Sequence, residues 1–410
     1  MKKVKFISLG CRLNKAETDS IINQIRGRFE ITNSEADIYI VNTCAVTISA
    51  SQKSRRLIRA IKDKNPKSKV VVIGCAASEI EELNISADHI FSKEKQNEVS
   101  NKLIQMYGKK QTLLSGNNDE VSLYARPLIK IQDGCDNFCS YCIVPMLRGR
   151  GHSEKLAAII DKVKELEQLD YSEIVLTGVN IGHYKDGHND LMMLLSSLLR
   201  ETSKLRIRLS SINPNDISED LINVLASERI CEHIHLSLQS GSDTVLKRMN
   251  RRYDSALYKD IVIKLRAVKP NIAITTDIIV GFPGETEGEF KETLEFVKEI
   301  KFAKIHIFRY SKRPGTAACN MPDQQNDEIK RLRAHELGLA ANKLRNDYLM
   351  KSIGSELEVV FEGRAKGMYK GTSSNYIDVL VNTNQPLRGR LCRVYVLRAA
   401  DSFVVARLVA

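Results

Sequence analysis

Strand and helix signals alternate along most of this chain of 410 residues, and no other feature of the sequence limits the fold so strongly. In the N-terminal quarter, short apolar runs predict strands at 4–9, 37–41, 69–73 and 89–91. Helical spacing predicts helices at 18–28, 49–64 and 95–107. Strands that alternate with helices of this length indicate a parallel sheet, so we predict an α/β, doubly wound parallel-sheet domain over residues 1–112.

A second and longer series of strand and helix signals follows a polar stretch at 108–124 that is typical of a linker. Its strands are predicted at 127–132, 173–177, 206–210, 233–238, 272–279 and 304–308. These βα units predict a partial or full (β/α) barrel over 121–348, followed by a long charged helix at 327–350. Residues 349–410 carry short alternating runs with Gly and Asn turns, which predict a small all-β module.

Three cysteines stand close together near the start of the predicted barrel, in the spacing Cys-x3-Cys-x2-Cys: Cys135, Cys139 and Cys142. Three thiolates can hold three irons of a four-iron cluster and leave the fourth open, whereas ordinary electron-transfer clusters are closed by four cysteines. An open iron can bind a substrate or cofactor, so the spacing favours chemistry over electron transfer. Two alternatives stay open: a zinc site with a distant fourth ligand, and a chance group of inert thiols.

Three other cysteines are far apart in the sequence, but each directly follows a predicted strand: Cys11, Cys44 and Cys75. The carboxyl ends of parallel strands share one edge of a sheet, where ligands bind, so the three thiols are expected to converge on a second metal site. Gly10 and Gly74 would allow the backbone to approach an inorganic group closely. The alternative for each thiol is a buried apolar cysteine. The remaining cysteines lack this register and are expected to be packing or incidental residues: Cys231, Cys319 and Cys392.

The chain is basic, with a net charge of +12 and a pI near 9.1, which favours an anionic partner such as nucleic acid. Residues 350–410 contain nine Lys or Arg against five Asp or Glu. A solvated basic surface is the alternative to phosphate binding. The side chains expected to meet phosphates are Lys366, Lys370, Arg388, Arg390 and Arg393 in the C-terminal region, and Arg148 and Arg150 after the first cysteine group.

The N-terminal apolar run is broken at Lys5 and ends by Cys11, which is too short for a signal peptide. No stretch approaches the roughly 18 apolar residues of a membrane helix. We therefore expect a cytoplasmic protein without membrane contact, in which nine cysteines indicate metal ligands or catalytic groups before disulfides.

Polar residues near the predicted strand ends of the barrel are candidates for cofactor contact, because barrel enzymes bind ligands at the carboxyl ends of their strands. Each is expected either to contact a cofactor or to cap a strand: Asn180, Ser211, Ser237, Gln239 and Asp277. The glycines at 149–151 and 281–284 do not form a G-x-G-x-x-G pattern after a strand, which excludes a Rossmann dinucleotide site.

The motifs around these residues together resemble the radical S-adenosylmethionine (SAM) methylthiotransferases over essentially the whole chain. The matching segments are 9–14, 41–47, 74–76, 130–145, 176–180, 206–211, 235–241 and 281–286. The resemblance implies a radical SAM core over 121–348, preceded by a methylthiotransferase domain over 1–112. It also implies that residues 349–410 form the small RNA-binding barrel called TRAM.

The resemblance further implies two [4Fe–4S] clusters and SAM as cofactors. Cys135, Cys139 and Cys142 would hold the cluster whose open iron is chelated by SAM, and one electron would then generate a 5′-deoxyadenosyl radical. Tyr141 would lie near the SAM adenine, or alternatively pack at the barrel mouth. The other three cysteines would hold an auxiliary cluster that carries the sulfur to be inserted, and a second SAM would supply the methyl group.

Within the family, Asn42–Thr47 and the following Lys53–Arg56 look most like the branch that modifies N6-threonylcarbamoyladenosine beside the anticodon of tRNA. Lys15-Ala16 and Ser78 depart from the pattern of that branch. Two enzyme alternatives are methylthiolation of isopentenyladenosine in tRNA and of a ribosomal protein aspartate, and a non-catalytic RNA-binding iron–sulfur sensor is a third. The implied partners are the tRNA anticodon stem-loop and an electron donor such as flavodoxin or ferredoxin. The sequence does not indicate the sulfur donor.

Overall fold

The computed structural model of the protein describes residues 1–108 and 122–409. The predicted domain boundaries at 112 and 121, and most of the predicted linker, lie outside these residues. Within them, no helix combines the length and apolar character needed to span a bilayer.

The N-terminal domain is a five-stranded parallel sheet with helices on both faces, as predicted. Its strands are β1 (Lys3–Ser8), β2 (Glu30–Ile31), β3 (Ile38–Thr43), β4 (Lys69–Gly74) and β5 (His89–Ile90), in the order β2-β1-β3-β4-β5. Its helices are α1 (Arg12–Ile25), α2 (Ile48–Lys64), α3 (Ala77–Glu82) and α4 (Val99–Tyr107), with a 3₁₀ segment at Lys93–Glu98. The order reverses between β1 and β3, which is the switch point where open sheets of this kind bind ligands.

The first helix starts earlier than predicted, at Arg12 instead of residue 18. Polar residues such as Asn14 and Glu17 obscured its apolar spacing, because they are buried against the central domain instead of facing solvent. The helix therefore begins directly after Cys11, at the carboxyl edge of the sheet.

The central domain is a partial barrel of parallel strands surrounded by helices, as predicted. Its barrel strands are β6 (Leu128–Lys130), β9 (Glu173–Thr177), β12 (Arg206–Leu209), β13 (Ser211–Ile212), β14 (His233–Leu236), β15 (Ala273–Val280) and β16 (Lys304–Arg309). Short strands β7 (Gln132–Asp133), β8 (His152–Ser153), β10 (Lys185–Asp186) and β11 (Asn189–Asp190) form two small ribbons. The barrel strands pair in the orders β12-β9-β6 and β13-β14-β15-β16, and β6 and β16 do not pair with each other among the described residues.

The helices of the central domain, except the short α5, bury apolar side chains in the interior of the domain. They are α5 (Val144–Arg148), α6 (Leu156–Gln168), α7 (Leu191–Glu201), α8 (Glu219–Leu225), α9 (Asp243–Arg248), α10 (Ser255–Val268), α11 (Glu287–Ile300) and α12 (Asp327–Met350). Leucine and isoleucine from strands and helices form one continuous core, for example Leu176, Leu194 and Ile274. Burial of such side chains contributes roughly 1.5–3 kcal/mol each, so this core fixes the strand ends that carry the site.

The C-terminal domain is a closed five-stranded barrel, in agreement with the alternating pattern of its sequence. Its strands are β17 (Glu356–Ala365), β18 (Met368–Ser373), β19 (Asp378–Val381), β20 (Leu391–Ala399) and β21 (Val404–Leu408), in the closed order β17-β18-β19-β21-β20. The turn between β18 and β19 contacts the start of the central strands, where Arg208 Nη2 donates to Ser373 O at 2.9 Å. The small barrel thus closes the floor of the central barrel.

Candidate metal centres

The loop that carries Cys135, Cys139 and Cys142 is held by backbone hydrogen bonds to distant parts of the central domain. Cys135 N donates to Gly149 O at 3.2 Å, and Ser140 N donates to Met249 O at 3.0 Å. Gly134 has a positive φ (+68°), and a Cβ at this position would lie only 1.9 Å from the carbonyl oxygen of Arg150. Glycine is therefore required where the loop begins.

Gln132 joins this loop to the end of β9, a role that no pattern in the sequence indicates. Its Nε2 donates to the carbonyls of Asp133 (2.9 Å) and Gly134 (2.8 Å). Its Oε1 accepts from the amides of Val179 (3.1 Å) and Asn180 (3.0 Å). One buried amide side chain thus satisfies four backbone groups and fixes the loop against the barrel mouth.

Arg251 brings a positive charge to the first cysteine group, and sequence patterns do not indicate this residue either. Its Nη1 donates to Cys139 Sγ at 3.0 Å, its Nη2 to Asn213 Oδ1 at 2.6 Å, and its Nε to Tyr253 Oη at 2.9 Å. The guanidinium thus brings a positive charge and a hydrogen-bond donor to the sulfur of one candidate metal ligand. The contact spans 112 residues of sequence, so only the fold brings the two groups together.

Burial favours the neutral form of the other thiols in this group. It raises the pKa of Cys142 to about 12 and also raises the pKa of Cys135. The backbone amides of Val144 and Asn137 act against this by donating to the two sulfurs. Binding of a metal must therefore displace protons from sheltered sulfurs, which is typical of a metal centre shielded from water.

Cys11, Cys44 and Cys75 lie at the carboxyl edge of the N-terminal sheet, as their register predicts. Cys75 N donates to Thr43 O at 3.1 Å, so the ends of β3 and β4 are joined where the two thiols emerge. The thiols are near enough to interact electrostatically, because Cys11 and Cys44 both contribute to raising the pKa of Cys75 to about 11, after the larger effect of burial. A Cβ on Gly10 would lie 2.7 Å from Cys44 Sγ, so the backbone comes close to the thiols, as expected.

Arg148 connects the two cysteine groups across the interface between the first and second domains. It ends α5, just after the first group, and its Nη1 donates to Glu17 and to Asp133, both at 2.9 Å. Its Nη2 donates to Asn14 Oδ1 at 2.6 Å, and Cys11 Sγ lies 3.6 Å from the same oxygen. The guanidinium also lowers the pKa of Cys75, in opposition to burial. Arg148 therefore bridges the first and second domains beside both cysteine groups.

The expectation that Arg148 meets RNA phosphates is wrong, because its side chain is only 3% exposed and its charge is neutralised by the buried carboxylates. Arg150 is 77% exposed and pairs with Asp136 at 2.8 Å. In the C-terminal barrel Lys366, Arg388, Arg390 and Arg393 are exposed, while Lys370 is half-buried and pairs with Asp378 at 3.4 Å.

The structure gives the predicted cofactor-contact residues different environments. Asn180 Nδ2 donates to Asp216 Oδ2 at 2.6 Å, while its buried Oδ1 has no partner in the described chain. Ser237 is buried and its carbonyl accepts from Tyr253 Oη at 2.6 Å. Gln239 has a left-handed backbone (φ +73°) and its amide donates to Asp277 O at 2.8 Å.

The other candidates line or border the lumen of the central barrel. Ser211 is half-buried and stands opposite His235 in the register of β13 and β14. Asp277 Oδ2 lies 3.3 Å from His235 Nε2. Tyr141 packs edge-on against Phe282, with ring centroids 6.4 Å apart. That contact fits the packing role that the sequence left open for Tyr141 beside a role near SAM.

A further polar cluster in the lumen was not predicted, because its members come from all three domains. Tyr376, in the turn after β18, stacks on His233 with ring centroids 4.0 Å apart. Arg12 Nη2, at the start of α1, donates to Tyr376 Oη at 2.9 Å. Lys304 Nζ lies 5.8 Å from the centroid of the same tyrosine ring. We call Arg12, Lys304, Tyr376 and His233 the lumen cluster.

Among the described residues, no three His, Cys, Asp or Glu side chains are placed to hold one metal ion. In a four-iron cluster each thiolate binds a different iron, so its ligands need not converge on one point.

Comparisons with known protein families agree with these observations. Residues 129–297 match the family described as the radical SAM superfamily, and residues 3–94 match the uncharacterized protein family UPF0004. The two matches cover the two cysteine groups, one each.

Comparisons with known proteins show similarity over nearly the whole chain. It is 37% identical to threonylcarbamoyladenosine tRNA methylthiotransferase MtaB of Bacillus subtilis (strain 168), covering 97% of this chain and 94% of that protein. It is 34% identical to tRNA-2-methylthio-N(6)-dimethylallyladenosine synthase of Endomicrobium trichonymphae, covering 96% of both chains. Among solved structures, the radical SAM methyltransferase TsrM of Kitasatospora setae superposes with a TM-score of 0.55 at 13% identity, over 77% of each chain, which shows the fold alone. The chain belongs to the radical SAM methylthiotransferase family.

Proposed function

We propose that this protein is a tRNA methylthiotransferase that inserts a methylthio group at C2 of N6-threonylcarbamoyladenosine beside the anticodon. The observation that carries the proposal is the presence of two groups of three cysteines, at two strand-end sites joined by Arg148. The relative from Bacillus subtilis, which is named for this reaction, supports the choice of nucleoside.

The radical SAM family implies a [4Fe–4S] cluster and SAM, and the first cysteine group fits that cluster. It offers three thiols, a cationic donor at Cys139 and shelter from solvent. When bound, the cluster supplies the electron that splits SAM and so provides a radical able to remove the C2 hydrogen of adenine. We propose that Cys135, Cys139 and Cys142 hold it.

We propose that the second group, Cys11, Cys44 and Cys75, holds an auxiliary [4Fe–4S] cluster involved in sulfur transfer. The donor set fits, since two of the thiols are buried, one is exposed, and the glycine backbone at Gly10 leaves room beside Cys44. The exposed thiol, Cys11, faces the side from which sulfur and substrate would arrive. A second SAM would then methylate the inserted sulfur.

The remaining roles belong to the chain's own side chains. Arg251 and Gln132 would orient the loop of the first group, so that its open position faces the lumen. The unpartnered Oδ1 of Asn180 is an acceptor ready for a donor group of SAM. For the other candidates we also propose SAM contact: Tyr141, Ser211, Ser237, Gln239 and Asp277.

The enzyme acts on tRNA, and we propose that the exposed arginines of the C-terminal barrel contact the backbone of the anticodon stem-loop. Phosphate contacts predict an affinity that falls steeply with salt. We further propose a one-electron donor such as flavodoxin or ferredoxin, and a location in the cytoplasm.

Nucleoside mass spectrometry tests the proposal. The protein is expressed in a host that lacks the modification, with the Cys44→Ala variant as the inactive control. We expect N6-threonylcarbamoyladenosine to gain a methylthio group only with the unaltered protein. If the methylthio group appears on isopentenyladenosine instead, the substrate is that nucleoside. This second candidate function is supported by the name of the relative from Endomicrobium trichonymphae. No modified nucleoside from a protein with both clusters present would contradict a tRNA substrate.

A further inference from the structure

The lumen cluster places two cations where three domains meet. Arg12 directly follows Cys11 in the N-terminal domain, Lys304 begins β16, and Tyr376 reaches in from the C-terminal barrel. Arg12 and Lys304 are both half-buried, so part of each residue remains accessible although three domains meet around them. They approach the same tyrosine ring, at 5.8 Å each from its centroid.

These two cations differ from their neighbours because neither has a carboxylate partner in the part of the chain that the structure describes. Within residues 1–108 and 122–409, neither forms an ion pair with a carboxylate, and the one hydrogen bond of Arg12 goes to a neutral phenol. The neighbouring arginines differ, since Arg206 and Arg208 both donate to Glu173 at 2.7 Å. Asp277 on β15 lies 3.3 Å from His235 Nε2 and forms no ion pair with Arg12 or Lys304. The two cations of the lumen cluster are therefore left without a carboxylate partner among the described residues.

The floor beneath these cations is rigid. Tyr376 has a left-handed backbone (φ +62°), which costs a non-glycine residue energy and is kept only where the surroundings enforce it. His233 stacks on its ring and in turn bonds Thr275 Oγ1 at 3.0 Å through Nε2. A phenol held in this way would keep the Arg12 guanidinium in one orientation and leave its remaining N–H groups to other acceptors.

We propose that Arg12 and Lys304 bind the carboxylate of the threonylcarbamoyl group and so select this nucleoside. The inference rests on the proposed function and adds the part of the site that recognises the N6 substituent. C2 and C6 of adenine flank the same ring nitrogen, so a base that presents C2 to the cysteine groups can extend its N6 substituent into the lumen. There a carboxylate would meet two unpaired cations in a partly desolvated space, where charge-assisted hydrogen bonds are strong.

The same arrangement would reject an apolar substituent. A dimethylallyl group in this position would cover Arg12 and Lys304 without offering them any acceptor. Burying an unpaired charge costs several kcal/mol in general, which is enough for strong discrimination. The lumen cluster would therefore favour threonylcarbamoyladenosine over dimethylallyladenosine, the two nucleosides that appear in the names of the relatives.

The rival explanation is that Arg12 only joins the first and third domains through Tyr376. Binding measurements separate the two roles. The reconstituted protein is titrated with an anticodon stem-loop that carries threonylcarbamoyladenosine, and with the same oligonucleotide in which the threonine carboxylate is converted to a primary amide. The amide keeps the size, but it removes the negative charge and replaces one acceptor oxygen by an NH2 donor.

We expect the unaltered protein to bind the carboxylate form about tenfold more tightly or better, as a charge-assisted contact provides. Arg12→Gln and Lys304→Gln should each lose most of that preference and bind the amide form as before. Arg12→Lys should keep part of it. Lys15→Gln, an exposed neighbour on the same helix, is the matched control and should keep the full preference. Iron content is measured for every variant, to show that the adjacent Cys11 site is intact.

Two results would overturn the inference: equal affinity of the unaltered protein for both oligonucleotides, or equal weakening of both by Arg12→Gln. Turnover, followed by mass spectrometry, keeps the proposed function separate. Methylthiolation without a preference for the carboxylate form would refute the carboxylate site but not the proposed function. A preference for the carboxylate form without any methylthiolated product would refute the proposed function but not the carboxylate site.

Discussion

At the scale of single residues, the chemistry depends on which groups surround the sulfurs. Arg251 donates directly to Cys139, whereas Arg148 reaches the second group through Asn14, whose amide also donates to the carbonyls of Leu9 (2.9 Å) and Thr43 (2.8 Å). Hydrogen bonds and charges around a cluster tune its potential and position its ligands. We therefore expect the two arginines to have separable effects, Arg251 on the potential of the first cluster and Arg148 on the relative position of the two cysteine groups.

Replacement of Arg251 by Gln should shift the reduction potential of the first cluster without removing its iron. Loss of a positive charge and of a hydrogen bond to a ligand sulfur makes reduction harder, so we expect the potential to fall by tens of millivolts. Potentiometric titration followed by electron paramagnetic resonance measures the shift. Arg252→Gln changes the exposed neighbouring arginine and is the control. An unchanged potential in Arg251→Gln would contradict the assigned role.

Replacement of Cys44 by Ala should remove one cluster and leave the other. The protein with two clusters should contain about eight irons per chain after anaerobic reconstitution, and the variant about half of that. Cys231→Ala is the matched control, because Cys231 is also buried but lies beside Arg208, away from both groups. An iron content of the Cys44→Ala variant equal to that of the control would refute the auxiliary site.

At the scale of elements, a buried charge network fixes the C-terminal barrel to the start of the central strands. Glu173 on β9 accepts from Arg126 at 3.3 Å, and from Arg206 and Arg208 on β12. Burial alone would raise the pKa of Glu173, but the three arginines lower it well below its ordinary value. The arginines also contact the small barrel, for example Arg126 with Glu362 at 2.7 Å. The orientation of Tyr376 thus depends on this network.

Replacement of Glu173 by Gln should strongly destabilise the protein, because it leaves buried guanidinium groups without their counter-ion. Breaking such a network typically costs about 3–5 kcal/mol, so thermal unfolding should shift to a clearly lower temperature. The lowered pKa of Glu173 also determines how the stability of the protein changes with pH. The stabilisation is complete above the pKa of the unfolded chain and is lost as pH falls toward that of the folded protein.

Thermal melts at neutral and acid pH measure both effects. Glu165→Gln, on the exposed face of α6, is the control and should change stability by less than about 0.5 kcal/mol. A Glu173→Gln protein as stable as this control at neutral pH would refute the role of the network.

At the scale of the whole molecule, the fold was predictable because each domain has its own sequence period. The parallel sheets follow from alternating strands and helices, and the all-β character of the C-terminal domain follows from short alternating runs. The position of Cys11, Cys44 and Cys75 at one sheet edge follows from their register at strand ends. The lumen cluster was not predictable, since Arg12 and Tyr376 are 364 residues apart and meet only through the docking of domains. The prediction that Arg148 contacts phosphates was wrong for the same reason. Its side chain is buried only because the first domain packs against it.

Binding of tRNA should depend on exposed arginines of the C-terminal barrel. Replacement of Arg390 and Arg393 by Gln should weaken the affinity and reduce the slope of log Kd against log salt by about one for each phosphate that is no longer neutralised. Filter binding at a series of salt concentrations measures the slope. Arg200→Gln, an exposed arginine on α7, should leave the slope unchanged. An unaltered slope in the double variant would show that the RNA binds elsewhere.

The most direct test of the account follows the hydrogen on C2 of the target adenine. The reconstituted protein is given SAM, a reductant, sulfide and an anticodon stem-loop whose threonylcarbamoyladenosine carries deuterium at C2. We predict that deuterium appears in 5′-deoxyadenosine as the methylthio product forms, and that Cys139→Ala abolishes both. Methylthio product without deuterium in 5′-deoxyadenosine, or 5′-deoxyadenosine without any change at C2, would contradict the central claim.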